Sequence, residues 1–186
     1  MSAVVETVFA PDMQNYFALF GLPEQFDLDK QVLEAAWLAV QKEVHPDRFV
    51  NSSESEKRAA MQWASLANDA YQVLRNPVRR ATHLCQLRGH LLNDDAAPAI
   101  PSDFIYEQIE WREQLDNASI DSDIEALDMM GARLRERTAG QMLLIRQKLD
   151  AHDFAAGAQE IRKMVFLQKF GEEINVVFDR LDRLET

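Results

Sequence analysis

Pro46 cuts a long run of helical periodicity in two, and that break limits the folds open to this chain. Upstream, Leu33, Trp37, Val40 and Val44 recur at spacings of four, three and four, one stripe of an amphipathic helix that Asp27 or Asp29 can cap. That helix must end near Val44, because a proline disfavours helical geometry in the residue before it. Downstream, a second helix begins near Glu54, with Trp63, Leu66, Ala70 and Val73 as its stripe, and Asn76-Pro77 stops it after about Arg75. Two such helices joined by a short loop pair as an antiparallel hairpin. The segment NYFALFG, closed by Gly21-Leu22-Pro23, precedes the hairpin. A further helix from Pro77 to about Arg88 follows it, with Gly89 as its stop.

The stretch LLNDDAAPAIPSD, with Pro98, Pro101 and paired aspartates, reads as a linker. Beyond it the spacing predicts three helices, near 102–117, 121–150 and 153–184. Ile124, Leu127, Leu134, Thr138, Ile145 and Leu149 form the stripe of the second. Met164, Leu167, Phe170, Ile174, Val177, Leu181 and Leu184 form that of the third. Long amphipathic helices with short connections make an up-down-up bundle. The expected fold is therefore all-α: a helical hairpin with short flanking helices, then a three-helix bundle. The expected layout is an extension at 1–12, a first module at 13–88, a linker at 89–101 and a second module at 102–186.

Composition narrows function by exclusion. The net charge is −11, and from residue 81 onward 12 Lys+Arg stand against 20 Asp+Glu, whereas residues 13–80 carry 8 against 9. An acidic chain without a basic stripe is a poor nucleic-acid binder, since phosphate contacts dominate that affinity, and no nucleic-acid partner is expected. No apolar run reaches the roughly 18 to 20 residues needed to span a bilayer. The N-terminal MSAVVETVFAPDM has neither a secretory nor a transit-peptide pattern. With no glycine-rich phosphate loop or nucleophile motif, the chain is not expected to be an enzyme. The candidate metal ligands are His83, Cys85, His90 and His152. His83 and Cys85, two apart, point to different helix faces, and a lone cysteine cannot hold an iron–sulfur cluster. Neither metal nor cofactor is expected, and a single cysteine suits a reducing compartment.

One helix carries more apolar surface than a core stripe needs. In DFIYEQIEWREQLDN, Phe104, Trp111 and Leu115 lie on one stripe, seven and four apart. Ile105 and Ile109 lie about 100° round the helix, with Tyr106 widening that strip and Glu110 and Glu113 bordering it. In the last helix Phe166 falls off the stripe in the same way. Two readings are open on periodicity alone: a wide buried stripe packed on two neighbours, or an exposed patch rimmed by acids that docks a protein with a basic surface.

His45-Pro46-Asp47 arises by accident in a chain of this length on the order of once in a hundred, so its place between two amphipathic helices carries more weight than the triplet itself. With YFALFGLP, AVQKEVHPDRF and ASLANDAYQVLRNPVRRATHL around it, the N-terminal part resembles a J domain. The resemblance implies stimulation of a chaperone ATPase through the His45-Pro46-Asp47 loop. There Pro46 would fix a turn, Asp47 offer a carboxylate to a cation, and His45 donate a hydrogen bond. Lys42 and Arg48 flank the triplet and could pair with acids on the ATPase. The helix before the triplet departs from the usual pattern. Its segment LEAAWLAVQKEV supplies only Lys42, opposed by Glu34 and Glu43, so either steering is weak or it falls to Arg48, Lys57 and Arg58.

Adding IEWREQLD and IRKMVFLQKF, nearly the whole chain from Met13 onward is similar to the HscB family of iron–sulfur co-chaperones. That resemblance implies two partners, an HscA-type chaperone ATPase and an IscU-type scaffold protein that the C-terminal bundle binds. The family's docking positions fall on Ile105, Tyr106, Ile109, Glu110, Glu113 and Phe166. Isoleucine replaces the more usual leucine at 105 and 109, and Asn117 stands where some members carry an acid. Lacking the cysteine-rich zinc segment of eukaryotic members, the chain is expected to be bacterial and cytoplasmic. The rival expectation is a general J protein whose C-terminal module binds unfolded clients.

Overall fold

A computed structural model describes residues 15–92 and 99–183. The expected N-terminal extension, residues 93–98 of the linker with Pro98, and Leu184 lie outside the described residues. The structure is all-α, and no strand occurs among the described residues. It divides into two compact units between Gly89 and His90.

The N-terminal unit holds α1 (Tyr16–Leu19), α2 (Lys30–Glu43), a single 3-10 turn (Pro46–Phe49), α3 (Glu54–Arg75) and α4 (Pro77–Leu87). Side-chain caps set most of these boundaries. Asn15 accepts from the Phe17 and Ala18 amides, Asp29 from those of Gln31 and Val32, and Asn76 from those of Val78 and Arg79. Ser53 and Glu56 form a reciprocal capping box at the start of α3. Of the two expected caps for α2, Asp29 is the one used. Helices α2 and α3 form the expected hairpin, with Trp37 stacked on Tyr71 at 4.7 Å between ring centroids. Asn68 Oδ1 accepts from both Trp37 Nε1 and Gln41 Nε2.

The inner face of α3 differs from expectation. Its buried residues are Ala60, Trp63, Ala67, Ala70 and Leu74, and Leu66 and Val73 sit at the margin. Trp63 and Ala70 are buried as expected, while Ala67 and Leu74 take the inner positions expected of Leu66 and Val73. Arg80, buried on α4, donates to the carbonyls of Phe26 and Leu74, stitching the loop before α2 to the end of α3. His83, also buried, accepts the Tyr16 amide on Nε2 at 3.1 Å and stacks on the Tyr16 ring, which anchors α1. Gly21 and Gly89 take φ of +63° and +82°, the left-handed geometry in which glycine costs least.

The C-terminal unit is a bundle of α5 (Ser102–Asp121), α6 (Ile124–Asp150) and α7 (Phe154–Asp182). Phe104, Trp111, Leu115, Leu127, Leu167, Phe170, Ile174 and Leu181 pack as one core cluster. Helix α5 runs a full turn beyond the expected 117. It stops where Ser122 takes a left-handed φ of 54° and the Asp123 amide donates back to the Ala118 carbonyl. Helix α6 accordingly begins at Ile124, capped by Asp123, rather than near residue 121, and Ile124, expected on the core stripe, is exposed. Gln141 occupies a core position of α6. Its Nε2 donates to the carbonyl and carboxylate of Glu160, and its Oε1 accepts from Arg137. A β-carbon on Gly171 would meet Leu134 at 3.1 Å, so glycine is what lets α7 approach α6 at that point.

Candidate partner-binding surfaces

The first surface is built by the way α2 ends. The Val44 amide makes the last helical bond, to the Val40 carbonyl, and His45 then turns extended with φ −60° and ψ 133°. That is the geometry a following proline demands. The 3-10 turn beginning at Pro46 closes with the Arg48 amide on the His45 carbonyl at 3.0 Å. His45 Nδ1 accepts the Asp47 amide at 3.3 Å and lies 3.5 Å from the Asp47 carboxylate. Both His45 and Asp47 are solvent-exposed. The loop thus presents an imidazole and a carboxylate side by side, anchored behind by α2 and ahead by the Ser53–Glu56 box.

Arg48 is not free beside the triplet. Its guanidinium pairs with the Glu43 carboxylate at 2.6 Å, joining the end of α2 to the turn. Lys42 is exposed. Lys42, Arg48 and His45 border a shallow concavity whose apolar element is Leu38, an exposed residue off the α2 stripe that sequence reasoning did not pick out.

The second surface lies on the C-terminal bundle. The buried face of α5 is Phe104, Gln108, Trp111, Leu115 and Ala118. Ile105 and Ile109 are 47% and 49% exposed, Tyr106 is 70% exposed, and Glu110 and Glu113 are exposed beside them. From α7, Phe166 reaches the same place, 39% exposed, its ring edge-on to Phe104 at 6.2 Å. Ile105, Ile109 and Phe166 together line one small cavity. Of the two open readings, the wide buried stripe is therefore excluded for these residues. Tyr106, Glu110 and Glu113 do not line the cavity.

Ion pairs fix this helix on its neighbours. Arg112 donates through Nε and Nη2 to both oxygens of Glu173 on α7, at 3.0 and 3.1 Å. Arg137 on α6 faces Glu107 at 3.4 Å and lies over the Phe104 ring. The residue that spacing could have revealed is Gln108. It falls four after Phe104 and three before Trp111, a core position filled by an amide, and it also lines the cavity.

Of the candidate metal ligands, His83 and Cys85 are buried, His90 is half-buried and His152 is exposed. Burial pushes the His83 imidazole below its usual pKa, with the Glu24 carboxylate opposing, and pushes the Cys85 thiol up to about 12. Glu24 itself is held below the usual carboxylate range by Arg88, with Asn15 assisting. Among the described residues no three His, Cys, Asp or Glu side chains are grouped to hold a metal, and no helix is long and apolar enough to cross a membrane.

The chain is similar to known proteins over most of its length. The family model described as the HSCB C-terminal oligomerisation domain matches residues 100–175. A co-chaperone protein HscB homolog of Ralstonia nicotianae is 43% identical over 170 residues, spanning 90% of this chain and 96% of that protein. The solved structure of chaperone HscB from Vibrio cholerae is 36% identical with a TM-score of 0.75, over 90% of this chain and 99% of that one. The human co-chaperone protein HscB matches at 25% identity and a TM-score of 0.77, over 90% of this chain and 84% of that one.

Proposed function

The chain belongs to the HscB family of co-chaperones, and on that premise we propose that it couples two partners in iron–sulfur cluster assembly. It is not an enzyme. Its J domain would stimulate an HscA-type chaperone ATPase through His45, Pro46 and Asp47, with Lys42 and Arg48 beside them. Its bundle would carry an IscU-type scaffold on Ile105, Tyr106, Ile109, Glu110, Glu113 and Phe166. Holding both in one chain raises the effective concentration of scaffold at the chaperone. The bacterial relatives and the single reduced cysteine fit work in a bacterial cytoplasm.

The observation that carries this reading is the half-exposed state of Ile105 and Ile109 beside Phe166, on a helix whose other large apolar side chains, Tyr106 and Ile120 apart, are buried. An acid-rimmed apolar strip of this kind suits one folded partner with a basic rim. A module for unfolded clients would need no such fixed arrangement.

Calorimetric titration of the purified chain with an IscU-type scaffold tests the bundle. Heat with a defined stoichiometry is expected, whereas no binding would favour a general J protein. In parallel, His45→Gln should abolish ATPase stimulation of an HscA-type chaperone and leave scaffold binding intact. Stimulation that survives the substitution would exclude the loop as the trigger.

A further inference from the structure

Behind the His45-Pro46-Asp47 loop stands an apolar side chain that the core does not use. Leu38 is 53% exposed on α2, beside and not within the stripe of Leu33, Trp37, Val40 and Val44. Lys42 follows it by four residues and His45 by seven, so the three lie along one side of the helix and its end. Together with Gln41 and Arg48 they border one shallow concavity that opens directly beside the loop.

Two of the polar groups around this concavity are already engaged. Gln41 Nε2 donates to Asn68 Oδ1 and to the Ala64 carbonyl on α3, at 2.9 and 3.4 Å. Arg48 is paired with Glu43. Lys42 is exposed and forms no ion pair among the described residues. A polar group seated on Leu38 would lose water with only the Lys42 ammonium to answer it, which penalises the contact. An apolar side chain has no such loss and covers carbon surface that water now wets. The complement of this concavity is therefore an apolar side chain against Leu38, with a carboxylate beside it for Lys42.

We propose that Leu38 is an apolar anchor by which the chaperone ATPase docks on this chain, so that the loop acts on an ATPase already held. The ATPase seats an apolar side chain in the concavity and sets an acidic group against Lys42. The inference rests on the ATPase-triggering reading of the loop and extends its surface back along α2 by two turns. Recognition at this face then depends on covered carbon more than on long-range charge, and an ATPase that offers only acids to it binds weakly.

The test uses the full chain with Leu38→Ala, Leu38→Gln and Leu38→Met, and His45→Gln as the loop control, in steady-state ATP hydrolysis by a purified HscA-type chaperone. Leu38→Ala removes three carbons from a side chain that is just over half exposed, so the concentration for half-maximal stimulation should rise about tenfold with the maximal rate unchanged. Leu38→Gln, similar in size but polar, should do the same, while the apolar Leu38→Met should stay within about twofold of wild type. The rise for Leu38→Ala should persist at high salt, because an apolar contact is not screened. All three variants should melt as wild type does, since the site is exposed. A half-maximal concentration within about twofold of wild type for Leu38→Ala overturns the anchor. So does a methionine variant as weak as the glutamine one, a loss that vanishes at high salt, or a loss that tracks a fall in melting temperature. If His45→Gln stimulates like wild type while Leu38→Ala is impaired, the trigger assignment falls and the anchor stands. If wild type gives no stimulation, both fall together.

Discussion

Replacing Ile105 and Ile109 together with alanine should cost binding and folding in similar, separable amounts. Each truncation removes three carbons, about 2.4 kcal/mol at about 0.8 kcal/mol per buried methylene. Because these residues are 47% and 49% exposed in the free chain, about half of that, ~1.2 kcal/mol per residue, is realised only when a partner covers the patch. The double variant should therefore bind an IscU-type scaffold about fifty-fold more weakly, ~2.4 kcal/mol, if the two contributions add. Its loss of folding stability should be of the same size. Two fully buried isoleucines would instead cost about 2–5 kcal/mol each in stability. Calorimetry reads the first quantity and denaturant unfolding of the C-terminal unit reads the second. A stability loss above about 5 kcal/mol would refute the half-exposed geometry. Unchanged affinity would refute the docking role.

Three further outcomes follow from the N-terminal unit. Since burial holds the His83 pKa below 6.5 in the folded chain, the unfolded state takes up the proton first. Stability of this unit should hold above pH 6.5 and fall on acidification, by at most about 1.4 kcal/mol per pH unit from this group; urea midpoints at pH 7.5 and 5.5 should diverge for wild type but not for His83→Gln. Glu43→Gln releases Arg48 from an exposed ion pair of about 0–1 kcal/mol, and should lower the concentration needed for half-maximal ATPase stimulation by up to about fivefold, with no change showing that Arg48 does not meet the ATPase. Ser53→Ala removes half of the capping box and should destabilise the unit by about 1 kcal/mol in denaturant titrations, an effect that Asp at the same position should restore.

The boundaries of the first unit were legible because each carries a chemical stop: Asp29 and Asn76 as caps, Pro46 and Pro77 as breaks, Gly89 as a left-handed end. The end of α5 was not, because Ser122 performs the turn that glycine usually makes and nothing in its chemistry announces it. The buried face of α3 was read correctly at Trp63 and Ala70 and one residue early at Ala67 and Leu74, for a related reason. Ala67 contributes to the core through smallness, so a reading keyed to large apolar residues passes over it. The loop could be read outright, since its geometry is local to five residues. The patch could be read only as a surplus, because exposure depends on which neighbours cover α5. Gln108 and Gln141 were missed together. Both are amides at core positions, where a hydrophobic pattern registers only a gap.

Cys85 carries a last consequence. A thiol whose pKa stands near 12 is ionised to only about one part in 10⁵ at neutral pH, and it is the thiolate that attacks sulfur and captures metal. A protein that handles nascent iron–sulfur clusters works amid labile iron and activated sulfur. With its one thiol held protonated, a chain acting as proposed would not compete through Cys85 for the cluster.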